Sequence, residues 1–149
     1  MTNYSRSNPV LSPHFDECKI FTHSLAGKNA QFTFQTFDDV EVWDEAKQKA
    51  VKRMDKNLVR VLHGTFNEHK HALAALNKRG AGVFVAINQT DLKGIKQENI
   101  LKVRALFVDL DGSPIQPILD LPEDLQPHII IESSPNRWHA YWLVDNCSL

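Results

Sequence analysis

The sequence predicts an α+β domain, a mainly antiparallel sheet flanked by helices. Stretches with strand character outnumber those with helical spacing. The last two, around Ile129–Ile131 and Trp138–Leu143, are joined by Ser133-Ser134-Pro135-Asn136-Arg137, which reads as the turn of a hairpin. A doubly wound fold would instead alternate strands with helices in similar number. With 149 residues, 42% hydrophobic and 23% charged, the chain is one domain with enough apolar material for a core.

Residues 1–18 read as a flexible N-terminal tail, and the domain proper spans 19–149. Residues 19–24 suit a short strand or a helix end, and Ala26-Gly27-Lys28-Asn29 is a turn. Residues 31–37 alternate Phe32 and Phe34 with polar neighbours, which predicts a strand. Asp38 and Asp39 close it, either as a strand-to-helix boundary or as a third acidic ligand. Residues 42–54 carry acids first (Asp44, Glu45) and bases last (Lys52, Arg53), the order a helix dipole favours, so a helix with a solvated charged face is expected.

Residues 58–62 form the next strand. Asn67 is a candidate cap for a helix with Leu73 and Leu76 on its apolar face, stopped by Gly80 and Gly82. Val83-Phe84-Val85-Ala86-Ile87 reads as a buried strand. The polar loop 88–94 follows, then a short helix within 95–102. Residues 103–111 are an apolar strand ending in Asp109-Leu110-Asp111-Gly112. The proline-rich stretch after Gly112 cannot continue it, and residues 120–126 are an acidic loop.

Several function classes are excluded early. No apolar run has the length of a membrane span, and the polar start Met1-Thr2-Asn3-Tyr4-Ser5 is not a signal peptide. A formal net charge of -1 does not suit a protein that coats nucleic acid, though it permits a local basic groove. Cys18 and Cys147 match no ligand spacing or redox motif, which points to a reducing, cytoplasmic setting. His69 and His71, at i and i+2, would not share a helix face as a metal pair. There is no internal repeat.

The chemistry concentrates in the strand at 103–111 and the final hairpin. Strand alternation puts Asp109 and Asp111 on one face, and His139 on the face shared with Tyr141 and Leu143. Two adjacent carboxylates repel unless a cation relieves them, and a divalent metal with oxygen ligands does so. A solvated Asp-Gly turn is the plain alternative. A metal held by Asp109 and Asp111 would bridge phosphate oxygens, Arg137 could pair with phosphate, and His139 could donate to it, with Ser133 and Ser134 nearby. Such a set suits nucleotidyl or phosphoryl transfer, where positioning and charge neutralisation do most of the catalysis.

Three segments carry a family resemblance. Gly80-Ala-Gly-Val-Phe-Val-Ala-Ile-Asn-Gln-Thr-Asp91, Val103-Arg-Ala-Leu-Phe-Val-Asp-Leu-Asp-Gly-Ser-Pro114 and His128-Ile-Ile-Ile-Glu-Ser-Ser-Pro-Asn-Arg-Trp-His-Ala-Tyr-Trp142 resemble the RepB-type DNA primase domain of plasmids, phages and prophages. That family belongs to the archaeo-eukaryotic primase-polymerase superfamily. The resemblance runs from about Leu58 to the C-terminus. It implies an RRM-like primase-polymerase core, with Asp109 and Asp111 as ligands of Mg²⁺ or Mn²⁺ and His139 on the phosphates of the incoming nucleotide. Ser134 and Asn136 correspond loosely to the family's serine, because four residues separate Ser134 from His139 where the usual motif has one. Arg137 joins them as a phosphate contact, and Lys93, Lys96 and Arg104 are candidate guides for template or primer.

The implied partners are a single-stranded DNA template and nucleoside triphosphates, with room for a replicative helicase and none for a membrane. The implied activity is metal-dependent, template-directed nucleotidyl transfer in plasmid or phage replication. The superfamily's third acidic motif follows the histidine strand, and neither Glu132 nor Asp145 replaces it well. The expectation is therefore an N-terminal part of a longer protein, truncated at its C-terminus, with the last ligand beyond Leu149. Residues 107–113 also resemble the first motif of haloacid-dehalogenase-like phosphatases, with Asp109 as nucleophile in a parallel sheet, although Ser113 stands where that family has threonine. A catalytically inactive, replication-associated DNA-binding module is the third reading.

Overall fold

The structure, a computed structural model, describes residues 13–145 and residue 147. The expected tail therefore lies outside the described residues up to position 12. From Phe15 the chain is already helical: α1 spans Phe15–Ala26 and begins inside the stretch assigned to the tail. Asp16 and Glu17 occupy its first turn, where the helix dipole favours acids, and Thr22 and Leu25 face inward. Thr22 donates its hydroxyl to the Cys18 carbonyl at 2.9 Å, so a polar residue fits the buried side of the helix.

The first sheet takes β1 (Phe32–Asp38), β4 (Arg60–Gly64) and β5 (Ala81–Val85) in the order β4-β1-β5, with both pairings antiparallel. As the central strand, β1 buries Phe32, Phe34 and Thr36 on one face and Thr33 on the other, and its buried threonines are paired rather than solvated. Thr33 shares a 2.6 Å hydrogen bond with Thr90, and Thr36 donates to the Leu58 carbonyl at 2.6 Å. β5 has only β1 beside it, so Val83 and Phe84 are exposed where the apolar run predicted a buried strand.

The expected helix at 42–54 is instead a hairpin of β2 (Glu41–Asp44) and β3 (Lys49–Lys52). Its turn is specified locally. Asp44 accepts from the amides of Ala46 and Lys47 at 3.0 and 3.1 Å, and Gln48 adopts a positive φ of 50°. Val42 pairs with Val51 across it, which suits β-branched side chains better than a helix does.

α2 (Phe66–Lys78) is capped by Thr65 rather than Asn67: Glu68 returns the bond to the Thr65 amide at 2.6 Å, completing a capping box. Between β5 and the second sheet, β6 (Gln89–Thr90) pairs with β7 (Ile100–Lys102). The short helix expected in 95–102 shrinks to one 3-10 turn at Gln97–Asn99.

The second sheet has the order β8-β10-β9, from β8 (Ala105–Asp111), β9 (Ile129–Ser134) and β10 (Arg137–Leu143), again all antiparallel. The short α3 (Gln116–Leu119) lies in the crossing between β8 and β9. One main cluster joins the two sheets: Phe32 and Phe34 from β1, Ala105 and Tyr141 from the second sheet, Leu25 from α1, and Phe66 and Leu73 from α2. The fold class is thus α+β with antiparallel sheets, as the strand count and final hairpin indicated.

Candidate functional site

Each strand of the second sheet alternates, and antiparallel registry decides which side chains meet. Asp109 stands opposite His139 and Asp111 opposite Arg137. All four project from the same face, beyond the end where Ala105, Tyr141 and Leu143 enter the core. The face is apolar where α1 and β1 cover it and charged where it opens to solvent.

Two side-chain contacts with carboxylates span the strands. Arg137 Nη1 lies 2.7 Å from Asp111 Oδ1, and His139 Nε2 lies 3.5 Å from Asp109 Oδ1. The carboxylates are open, with side chains 55% exposed at Asp109 and 67% at Asp111, and His139 is more sheltered at 27%. Exposed ion pairs contribute only about 0–1 kcal/mol, so Arg137 can leave Asp111 for an anionic ligand at little cost. Behind them, the Tyr141 hydroxyl meets His139 Nδ1 at 2.9 Å. Burial, reinforced by the Asp109 charge, pushes the Tyr141 phenol up to about 12.

The carboxylates open directly into a turn. Gly112 has φ 79°, and the Ser113 amide donates to the Leu110 carbonyl at 3.0 Å. The Asp-Gly turn and the paired acids are therefore features of one segment, not competing readings of it.

Ser134 and Asn136 stand apart from the four. Ser134 ends β9, on the far side of β10 from β8, and lines a groove of about 510 Å³ with His14, Glu17 and Cys18. Asn136 occupies the hairpin turn with φ 62°, and its amide donates to Glu132 Oε1 at 2.9 Å. Glu132, weighed above as a replacement for the third acidic ligand, thus orders the turn.

Asp38, left open as a third acidic ligand, is committed elsewhere. Arg53 holds it through two bonds of 2.7 and 3.1 Å, and the amides of Asp55 and Val40 add two more. Asp39 pairs with Lys52 at 3.5 Å. Arg104, a candidate template guide, precedes β8 at the end opposite Asp111, about 17 Å of strand from Asp109. Its guanidinium lies over the Phe32 ring at 4.7 Å and donates to the Gln31 carbonyl.

For a divalent ion, the donor set fits the demands of Mg²⁺ or Mn²⁺: one or two carboxylates on an open face, leaving coordination positions for water and phosphate. Among the described residues, no three of His, Cys, Asp and Glu gather into a metal-ligating group. Asp109 and Asp111 are the residues that would hold such an ion. Tyr141 is the member of the site that the sequence reading passed over. Its signal was its position two after His139, on the same face of the strand.

Comparison of the chain with family models, curated proteins and solved structures finds no match.

Proposed function

We propose that this chain carries the nucleotidyl-transfer site of a RepB-type primase-polymerase domain, acting on a single-stranded DNA template with nucleoside triphosphates in plasmid or phage replication. The observation that supports it most is the registry of Asp109 with His139 and Asp111 with Arg137 on one solvent-facing patch. Two carboxylates beside two phosphate-binding side chains are what a triphosphate and its counter-ion require. A bound Mg²⁺ or Mn²⁺ would supply charge neutralisation and activation of the attacking hydroxyl.

The chain's own residues have separable tasks. Asp109 and Asp111 provide oxygen ligands. Arg137 turns from Asp111 to a phosphate, where its planar fork can bind two oxygens. His139 donates from Nε2 to a phosphate oxygen as charge builds there. The phosphatase alternative needs Asp109 at the end of a parallel strand, and the antiparallel, one-sided pairing of β8 does not favour it.

The test is primer synthesis by the full-length protein from labelled nucleotides on single-stranded DNA with Mn²⁺. Asp109→Asn is expected to reduce the product to background while leaving the thermal unfolding midpoint near that of the wild type. Activity at the wild-type level in that variant would sink the proposal.

A further inference from the structure

We propose that Tyr141 is the positioning residue for His139, its buried hydroxyl donating to Nδ1 so that the ring carries its proton on Nε2, on the side of Asp109. The inference extends the nucleotidyl-transfer reading in one respect: the same Nε2–H is the donor available to a phosphate.

The geometry constrains both ring nitrogens. Nδ1 lies 2.9 Å from the Tyr141 hydroxyl, and Nε2 lies 3.5 Å from a carboxylate oxygen of Asp109. A neutral imidazole has one donor and one acceptor nitrogen. With the proton on Nδ1, the Nε2 lone pair would face a carboxylate oxygen, two acceptors with nothing between them. The Tyr141 hydroxyl would then accept, and its own proton would need a second partner. Among the described residues, His139 is the only hydrogen-bond partner of that hydroxyl. With the proton on Nε2, Tyr141 donates and Nδ1 accepts, while Nε2–H lies on the side of Asp109, beyond hydrogen-bond geometry and free for another acceptor.

Tyr141 is itself well held. It is 3% exposed, and its ring packs against Phe21 at 5.3 Å and Phe107 at 5.7 Å between centroids. The phenol keeps its proton across the physiological range, because burial and the nearby Asp109 charge oppose its ionisation. The hydroxyl is therefore a fixed donor on a fixed ring. A side chain that rigid, bonded to a more open histidine, sets the histidine's orientation rather than following it.

The experiment uses the whole chain with ¹⁵N-labelled histidine rings, observed by NMR in mildly alkaline buffer. Wild type is expected to show the proton on Nε2 and Nδ1 as a hydrogen-bonded acceptor. Tyr141→Phe keeps the packed ring and removes only the hydroxyl, so Nδ1 should shift to the position of an unbonded acceptor. Asp109→Ala should leave the Nδ1 signal as in wild type, because Tyr141 remains. An unchanged Nδ1 signal in Tyr141→Phe would overturn the inference, as would an Nδ1 signal lost in Asp109→Ala. If Tyr141→Phe does not fold, the wild-type spectrum decides alone: a proton on Nδ1, or an Nδ1 without a hydrogen bond, rejects the role.

These spectra need no nucleotide, so they separate the two proposals. In the synthesis assay Tyr141→Phe is expected to lose about three- to tenfold in rate, the worth of one neutral hydrogen bond. Full-length wild type without any synthesis, but with the expected spectra, would reject the primase reading and leave the pairing of Tyr141 with His139 standing.

Discussion

Asp38 and Asp109 are both aspartates near the ends of strands, and their neighbours give them opposite characters. The Arg53 guanidinium, with the Asp55 and Val40 amides, holds the buried Asp38 carboxyl at about 2, below the ordinary 3.8. A carboxyl that binds its proton less readily when folded stabilises the fold wherever the unfolded chain would still be ionised. The contribution of Asp38 is thus complete above about pH 4 and is lost as the pH falls through about 2. Asp38→Asn should lower the thermal midpoint at neutral pH, and the gap to wild type should close on acidification. A gap independent of pH would show that the carboxylate charge contributes nothing. The sequence could not separate these aspartates, because the partner of Asp38 arrives from beyond the next hairpin. The sharing of one face by Asp109 and Asp111 was legible, since it follows from strand geometry alone.

Among the elements, the β9–β10 hairpin was legible and the β2–β3 hairpin was not. Pro135 followed by Asn136 suits a turn that needs a fixed φ at its first corner and a positive φ at its second, and Asn136 has φ 62°. Asn136→Gly is therefore expected to keep the thermal midpoint, while Asn136→Val should cost about 1–2 kcal/mol for the left-handed backbone. If Asn136 also touches nucleotide, as the family resemblance implied, the glycine variant will bind triphosphate more weakly with its fold intact. Nucleotide titration of that variant separates the two roles. The β2–β3 segment was read as a helix because its charges run from acidic to basic. Charge order is worth only about 0.3–1 kcal/mol, and the Asp44 turn with the Val42–Val51 pair outweighs it. The capping residue of α2 was misplaced by two positions for a similar reason: Asn67 is a good cap by type, but Glu68 completes the box only with Thr65.

For the molecule as a whole, the question is whether the patch at the end of the second sheet binds an ion. Anything that binds only the folded state raises its stability, by about 2.7 kcal/mol at a hundredfold excess over Kd. Mn²⁺ is expected to raise the thermal midpoint of wild type by several degrees and leave Asp109→Asn unmoved. A wild-type midpoint indifferent to Mn²⁺ would favour the DNA-binding module without catalysis. Among the described residues no helix is long and apolar enough to cross a membrane, in line with the absence of such a run in the sequence.

The sequence by itself determined what depends on neighbours along the chain: the strand periods of β1 and β10, the turn chemistry at Gly112 and Asn136, and the faces on which Asp109, Asp111, His139 and Tyr141 stand. Those follow from backbone geometry and need no tertiary contact. Only the tertiary structure decided which strands lie side by side, and so which carboxylate meets Arg137 and which meets His139. The pairing of β8 with β10 across the crossing that contains α3, and the capture of Asp38 by Arg53, join residues distant in sequence. Their stability comes from apolar surface buried jointly by both sheets and the two longer helices, a quantity no single stretch of the chain contains.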